Sequence, residues 1–449
     1  MPAERGVDLG PLRRVLGSTT GVAVGVGMAV GAGILRAPGA VAHELPSQAW
    51  IFAAWLLGGL VATLDALIVA EMAASVPRVG GLAAYVRLSF GRAPAFLVGW
   101  SMLLLTWPAS LAGVAVATGE LVTTGAVTLA VDAPPTPMGR AVAVAVIFVV
   151  AAVNLLGLRC GARLEIALFL AKVGLLGGVC VAAALAAPPA AAVASTMSVP
   201  NEPGLLLAAF GTAMVSVIFT FDGYADAVYL AGETRDPGRA LPRALLLALL
   251  TIVGLYLLAN VTFLHVLGVE GLAASKFPAL DVARTAFGSA GTRGLTTVAL
   301  VVLLGAVNAY FLTGPRIARL LAEEGMALAA LGHVPASGAP VWSTLWIALA
   351  AAAFALTNTF DQLLALTVPV ISLTTVLVAV GLLVQRRRAP DRPRPFRLRA
   401  APLVVGVQVA IGMTLLLGYL RADPRALAID LAALGLGLLV YRRLDATAA

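Results

Sequence analysis

The stretch GVAVGVGMAVGAGILRAPG, residues 21–39, and its counterpart AAFGTAMVSVIFTFDGYADAVYLAG, residues 208–232, decide the fold. Each is long and apolar enough to cross a bilayer, yet each is interrupted where a membrane helix would be continuous. In the first, Gly31, Ala32 and Gly33 fall mid-segment, with Pro38 shortly after. Glycine is a poor helix former and permits close backbone approach, so this is a candidate break. In the second, Asp222 and Gly223 interrupt the apolar run. An aspartate at mid-membrane costs about 2.5–3.5 kcal/mol on insertion scales, so it does not face lipid. Two broken helices in corresponding positions of two halves are the pattern of a secondary transporter built from inverted repeats. Half-helix N-termini present free N–H groups and a positive dipole end to an anion, while freed carbonyls can hold a cation. Such a pair suits a zwitterion carrying a carboxylate and an ammonium. Most other glycines, Gly174, Gly177 and Gly178 among them, read as close-packing faces.

The rest of the chain agrees with this setting. Of 449 residues, 60% are hydrophobic and 12% charged, with a mean hydropathy of +0.98. A soluble domain is about 45–50% apolar and about 25% charged, so an aqueous globular protein is excluded. Twelve apolar segments are read at 18–41, 49–74, 95–121, 140–157, 164–186, 205–230, 243–267, 296–320, 341–357, 361–384, 401–420 and 425–441. With the N-terminus inside, 22 of the 30 Lys and Arg residues fall on the cytoplasmic side and 6 on the outer side, leaving Arg36 and Lys172 within apolar segments. That bias is the positive-inside pattern with both termini cytoplasmic. The net charge of +8 is therefore a topology signal. The seven-arginine run from Arg386 to Arg399 needs no nucleic acid to explain it, although such clusters can also hold anionic lipid. Cys160 and Cys180 offer neither a disulfide framework nor metal-ligand spacing. Met1 to Gly17 lacks the apolar core and cleavage site of a signal peptide.

The stretch FTFDGYADAVYLAGETRDPGRALPRAL, residues 219–245, resembles the signature of the amino acid-polyamine-organocation (APC) transporters. Further resemblances are GAGILRAPG in the first segment, EMAASVPRVGGLAAYVRLSFG (71–91), VNLLGLRCGARLEIALFLAK (153–172) and NAYFLTGPRIARLLAEEG (308–325), so nearly the whole chain is covered. The resemblance implies an all-α integral membrane protein of 12 transmembrane helices, a five-plus-five inverted repeat with discontinuous helices 1 and 6 and two appended helices. On the residue scale this gives a cytoplasmic segment 1–17, a first repeat 18–186, a second repeat 205–384, a basic cytoplasmic loop 385–400, helices 11 and 12 in 401–441 and a cytoplasmic tail 442–449.

It also implies roles. The substrate carboxylate is expected on the amides around Gly31, Ala32 and Gly33. The α-ammonium is expected against carbonyls of Ala29 and Val30 at the first break, and of Phe219 and Asp222 beside Gly223 at the second. Phe219 falls where related carriers place an aromatic lid. Many members have serine where this chain has Ala32, so backbone N–H groups alone would hold the carboxylate. Tyr310 aligns with a pocket-facing position, two residues after Asn308. It is either a pocket wall with one polar handle or an ordinary packed aromatic.

Lys172 is the most informative single residue. It lies nine residues beyond Arg163, about 14 Å along a helix at about 1.5 Å per residue, near the middle of a hydrocarbon core about 30 Å thick. Only two of the 30 basic residues are lysine, so a lysine at the costliest depth points to a need for a titratable amine, which arginine cannot supply. By resemblance its ammonium takes the place of a sodium ion in sodium-coupled relatives, contacting carbonyls near Gly27 and Met28 and helix 8 near Thr313. It is read either as the proton-coupling group, with Thr313, or as a fixed structural cation. Asp222 could bind an ammonium, take the cationic end of a basic substrate, or cap the inner half-helix. Asp65 and Asp226 carry no assigned role. Arg36 is placed at an outer vestibule, and Glu233, Arg235, Asp236, Arg239 and Arg243 in a cytoplasmic charge cluster.

Enzyme and channel readings fare worse on the same residues. HELPS at 43–47 lacks the second histidine of a zinc protease motif, and His265 and His333 lie at a segment end and in a loop. No metal cluster, cofactor motif or Gly-x-Ser-x-Gly elbow is read. A channel would call for symmetric polar rings in place of two singular breaks. The expectation is thus a cell-membrane amino acid permease working by alternating access, with amino acid and protons as its partners and no metal or cofactor. Neutral substrates and proton symport are favoured. Exchange, or transport of basic amino acids or polyamines, is the alternative.

Overall fold

The computed structural model describes residues 9, 12–45, 47–124, 135–188, 190, 203–358, 362–363, 366–422 and 424–448. Arg5, most of the 1–17 segment, and positions 361, 364 and 365 of the tenth apolar segment lie outside the described residues. Apart from one isolated parallel bridge between Leu16 and Thr234, regular structure among the described residues is helical. In lipid every backbone polar group must be satisfied internally, and a helix does this within its own segment.

The elements that build the site are α1 (Ser18–Ala29), α2 (Ala32–Glu44), α3 (Gln48–Ser75), α4 (Gly81–Phe90), α5 (Arg92–Ser101), α6 (Trp107–Thr124), α7 (Pro137–Leu155), α8 (Leu158–Ala186) and α9 (Pro203–Phe221). A π-helical stretch, Met102–Thr106, joins α5 to α6, and a 3₁₀ stretch, Tyr224–Glu233, follows α9. Then come α10 (Pro237–Ala274), α11 (Pro278–Thr313), α12 (Pro315–Glu323), the single turn α13 (Ala329–Gly332), α14 (Val341–Thr357), α15 (Val368–Arg388), α16 (Ala401–Ala422) and α17 (Pro424–Ala448). Proline opens α7, α10, α11 and α12, where its missing N–H costs nothing.

The chain is an all-helical, multi-pass membrane protein. Among the described residues eight helical stretches are long and apolar enough to cross a bilayer; α1 and α2, bent by 47° at their break, make a ninth when counted as one span, and α14 and the Ala401–Leu417 part of α16 are shorter apolar stretches. Two of the expected segments differ at their ends. The segment expected at 243–267 is part of a helix running Pro237–Ala274 that kinks at Gly268, and the one expected at 296–320 begins at Pro278 and kinks at Gly288. Hydropathy marks only the lipid-facing middle of such helices, since their ends continue into water on backbone hydrogen bonds alone.

Several arginines are paired with carboxylates. Arg316 donates to both Glu233 carboxylate oxygens (2.9 and 3.0 Å), Arg386 to both of Glu71 (2.9 and 2.6 Å), and Arg87 to Glu324 (2.6 Å). Glu233 is thus bound to Arg316 of α12. Beside this pair, Leu16 N–H donates to Glu233 O and Arg235 N–H to Leu16 O, which ties the chain entering α1 to the end of the 3₁₀ stretch.

Candidate functional site

The two breaks meet. At the first, α1 stops at Ala29, Val30 and Gly31 leave the helical conformation, and α2 begins at Ala32. No side chain caps α2, so its leading amides, those of Ala32 and Gly33, are left open as at any uncapped helix start. The Gly31 N–H is bonded to Ala29 O at 2.9 Å, so the free amides begin one residue later than the sequence reading placed them. At the second break Gly223 has φ 103° between α9 and the 3₁₀ stretch, a conformation open to glycine at no steric cost.

Each break carries a glycine pressed on the other. A Cβ on Gly223 would stand 3.0 Å from the Met28 carbonyl carbon and 3.1 Å from the Ala29 nitrogen; one on Gly33 would stand 3.1–3.4 Å from Thr220. Between them, the Tyr256 hydroxyl lies 2.8 Å from Ala29 O and 2.7 Å from Thr220 O. One proton serves two carbonyls, so this hydroxyl clasps both breaks. Its ring is fully buried and packs edge-on to Trp55 (5.7 Å) and against Phe221 (4.9 Å).

A cavity of about 140 Å³ opens at this meeting point. Of the residues expected at the substrate, Ala29, Gly31, Ala32, Gly33, Phe219, Asp222, Gly223 and Tyr310 line it. Tyr310 also packs on Trp107 at 6.4 Å. The charged groups on the lining are three carboxylates, Asp65, Asp222 and Asp226, and no Lys, Arg or His is among them. The Tyr224 hydroxyl donates to Asp65 at 2.5 Å, joining α3 to the first residue after the second break.

Three expected residues stand elsewhere. Val30 does not line the cavity; its carbonyl receives the Lys172 ammonium at 2.6 Å, and Gly27 O receives it at 2.9 Å. Asn308 is off the cavity as well: it accepts from Asn154 (2.8 Å) and donates to Glu165 (2.8 Å) and Gly161 O (3.1 Å). At about 100° per residue, two positions turn a helix by about 200°, so Asn308 and Tyr310 face opposite ways. Thr313 is not beside Lys172. It donates to Ala309 O and accepts from Trp107 Nε1 at 3.2 Å. The point of α11 level with the lysine is Gly305, whose Cβ would be 3.2 Å from Nζ, and Thr313 lies about 12 Å further along at about 1.5 Å per residue.

Lys172, Glu165, Asn308 and Asn154 form a buried polar cluster behind the first break. Glu165 Oε1 lies where a Cβ of Gly27 would be, so glycine there admits the carboxylate to the α1 backbone. Glu165 was legible in principle: it is seven residues before Lys172, two turns on the same face of α8. Tyr256 and Asn154 gave no signal, being one tyrosine and one asparagine in long apolar runs.

The amino acid permease family model matches residues 16–425. The chain is 25% identical to the serine/threonine exchanger SteT of Bacillus subtilis, across 96% of both chains. It is 24% identical to the b(0,+)-type amino acid transporter 1 of Homo sapiens, over 92% of this chain and 83% of that one. It is 26% identical to the Asc-type amino acid transporter 1 of Mus musculus, over 88% and 74% respectively.

Proposed function

The chain belongs to the amino acid permease family, and from that premise we propose that it carries amino acids across the cell membrane by alternating access. In this reading it has twelve spans, helices 1–5 and 6–10 form inverted repeats, and both termini are cytoplasmic. What supports a carrier above all is the reciprocal packing of two broken helices on one cavity, Gly223 against Met28 and Gly33 against Thr220. A substrate lying between them touches both repeats, so its binding energy can favour their closure.

The substrate carboxylate rests on the Ala32 and Gly33 amides at the head of α2, and its α-ammonium faces Asp222 and the carbonyl side of the breaks. Phe219 and Tyr310 bound the side chain, a mostly apolar setting that suits neutral amino acids. Proton symport is the favoured mode. A protonated Lys172 holds Gly27 O and Val30 O, the two sides of the turn, and a neutral amine has one donor fewer to hold them with. Exchange is the second reading, supported by the Bacillus relative being a serine/threonine exchanger and by the neighbouring Glu165, which can keep the lysine charged throughout the cycle.

Uptake of an amino acid panel into liposomes containing the purified protein tests this. Saturable uptake stimulated by an imposed pH gradient supports symport. Uptake that needs preloaded amino acid and ignores the gradient supports exchange, and non-saturating ion current sinks the carrier.

A further inference from the structure

Behind the second break lies another cavity, of about 90 Å³, walled by α3, α9, α15 and α16. Asp65, Phe219, Asp222 and Tyr224 line both this chamber and the central cavity, so Asp65 stands in the wall between them. Its Oδ2 accepts from the Tyr224 hydroxyl at 2.5 Å, while its Oδ1 is sealed from water and has no partner among the described residues. On α16, Gln408 lines the same chamber, and its Oε1 is likewise sealed and unpaired. Asp65 is 7% exposed and Gln408 6%.

A buried acceptor left unpaired is costly, and a buried carboxylate without a counter-charge more so. The groups around Asp65 offer it no counter-charge. Asp222 at the end of α9 and Asp226 in the 3₁₀ stretch are carboxylates themselves, Tyr224, Tyr229 and Tyr310 are phenols, and the remaining residues on the two linings carry no titratable side chain. On α10, packed along α3, the Tyr256 hydroxyl is bound at Ala29 O and Thr220 O, and Glu71 further along α3 is bound to Arg386. A zwitterion brings an ammonium and a carboxylate together, so such a cargo leaves the net charge unchanged. Like charges in one site oppose each other's ionisation. A proton needs no free volume: on Oδ1 it removes the charge, and it supplies the donor that two acceptors on one chamber lack.

We propose that Asp65 is a proton-binding site, separate from Lys172, and that the sealed arrangement at the second break forms only while Asp65 holds a proton on Oδ1, with Gln408 Oε1 as its acceptor. The inference rests on the carrier reading above and adds to it a proton requirement at the second break. When Asp65 ionises, sealing the wall buries an unpaired charge, so the carrier passes through this arrangement less often. Tyr224 transmits the change. It is the first residue after Gly223, and its backbone carbonyl lies against α1, 2.9 Å from where a Cβ of Gly25 would be. Because the sealed state favours the protonated form, its advantage is full at low pH and is lost as pH rises, by at most about tenfold per pH unit for one proton.

The test is counterflow of the best-carried amino acid of the panel above, by the full-length protein in liposomes held at the same pH on both sides, from about pH 5 to about pH 8. With no gradient, the rate reports proton occupancy and not driving force. In wild type the rate is expected to fall as pH rises, and Asp65→Asn, uncharged like the protonated acid, to abolish that fall. Tyr224→Phe deletes a bond that favours the ionised form, so the proton is held more tightly and the midpoint moves up by about one pH unit. Gln408→Leu deletes the proton's acceptor and moves the midpoint down by about half a unit. Each midpoint is read within one variant, so a change in expression or overall rate does not affect it, and the two opposite shifts decide even where Asp65→Asn is inactive. A wild-type midpoint in Asp65→Asn overturns the site. So does an upward shift in Gln408→Leu, which would mean that its amide donates to an ionised Asp65. Counterflow indifferent to pH in wild type overturns the proton site alone, whereas if no amino acid of the panel is carried at any pH, the carrier reading itself has failed.

Discussion

The Lys172 ammonium lies 2.6 Å from the carbonyl oxygen of Val30, the residue at which the first broken helix turns. Together with Gly27 O at 2.9 Å, it supplies two bonds to carbonyls at the end of α1. The side chain is fully buried, so water cannot replace it. Lys172→Met is expected to leave both carbonyls unpaired, at about 1–3 kcal/mol each, and to lower uptake by about tenfold or more. The double variant with Glu165→Gln removes both charges and keeps the core neutral. In that background, residual uptake is expected to ignore an imposed pH gradient. Gradient-driven uptake equal to wild type in Lys172→Met would exclude the coupling role.

The Tyr256 hydroxyl offers a cleaner cut. Tyr256→Phe keeps the ring on Trp55 and Phe221 and deletes only the clasp on Ala29 O and Thr220 O. A loss of about 1 kcal/mol is expected, and uptake about fivefold slower at unchanged expression, because the two half-helices lose their common donor. Tyr256→Ala opens the core and is expected to cost about 3–5 kcal/mol. Thermal unfolding in detergent separates the two variants. If Tyr256→Phe transports like wild type, the clasp has no part in the cycle.

Asn308 separates a structural role from a substrate role. With its side chain bonded to Asn154, Glu165 and Gly161 O, Asn308→Ala is expected to strand those buried partners. The stability loss is about 1–3 kcal/mol for each group left unpaired. The half-saturating substrate concentration is expected to stay within about twofold of wild type, since Asn308 does not line the cavity. A KM raised tenfold with unchanged thermal stability would return Asn308 to the binding site.

The two breaks were legible in sequence because a glycine cluster and an aspartate are conspicuous in apolar runs. The depth of Lys172 was legible because helical rise is constant. What could not be read was rotation about the helix axis. Tyr310 and Asn308 are two residues apart and were grouped together, yet one lines the cavity and the other faces Glu165. Register between helices is equally hidden: the resemblance puts Thr313 beside Lys172, but the residue of α11 packed at that level is Gly305. Asp65 looked anomalous because its partner, the Tyr224 hydroxyl, sits on a different span. Hydropathy reports depth in the membrane well and the direction of a side chain poorly.

Gly223 binds these local contacts into one geometry. At φ 103° any other L-residue is strained by roughly 1–2 kcal/mol. Here there is also no room, since a Cβ would meet Met28 Cβ at 2.8 Å and the backbone of Met28 and Ala29 at 3.0–3.1 Å. Backbone on both sides cannot yield as a flexible side-chain tip can, so Gly223→Ala has to push the two breaks apart. It is expected to cost about 2 kcal/mol or more, to lower the melting temperature in detergent by several degrees, and to abolish measurable uptake. Gly174→Ala is the matched control: the sequence marks Gly174 as a packing face, but on α8 there is open space where its Cβ would be. There the change is expected to be within about 0.5 kcal/mol with transport retained. If Gly223→Ala instead folds and transports like the Gly174 control, the contact between the two breaks is dispensable, and the reading of the cavity as their shared site loses its support.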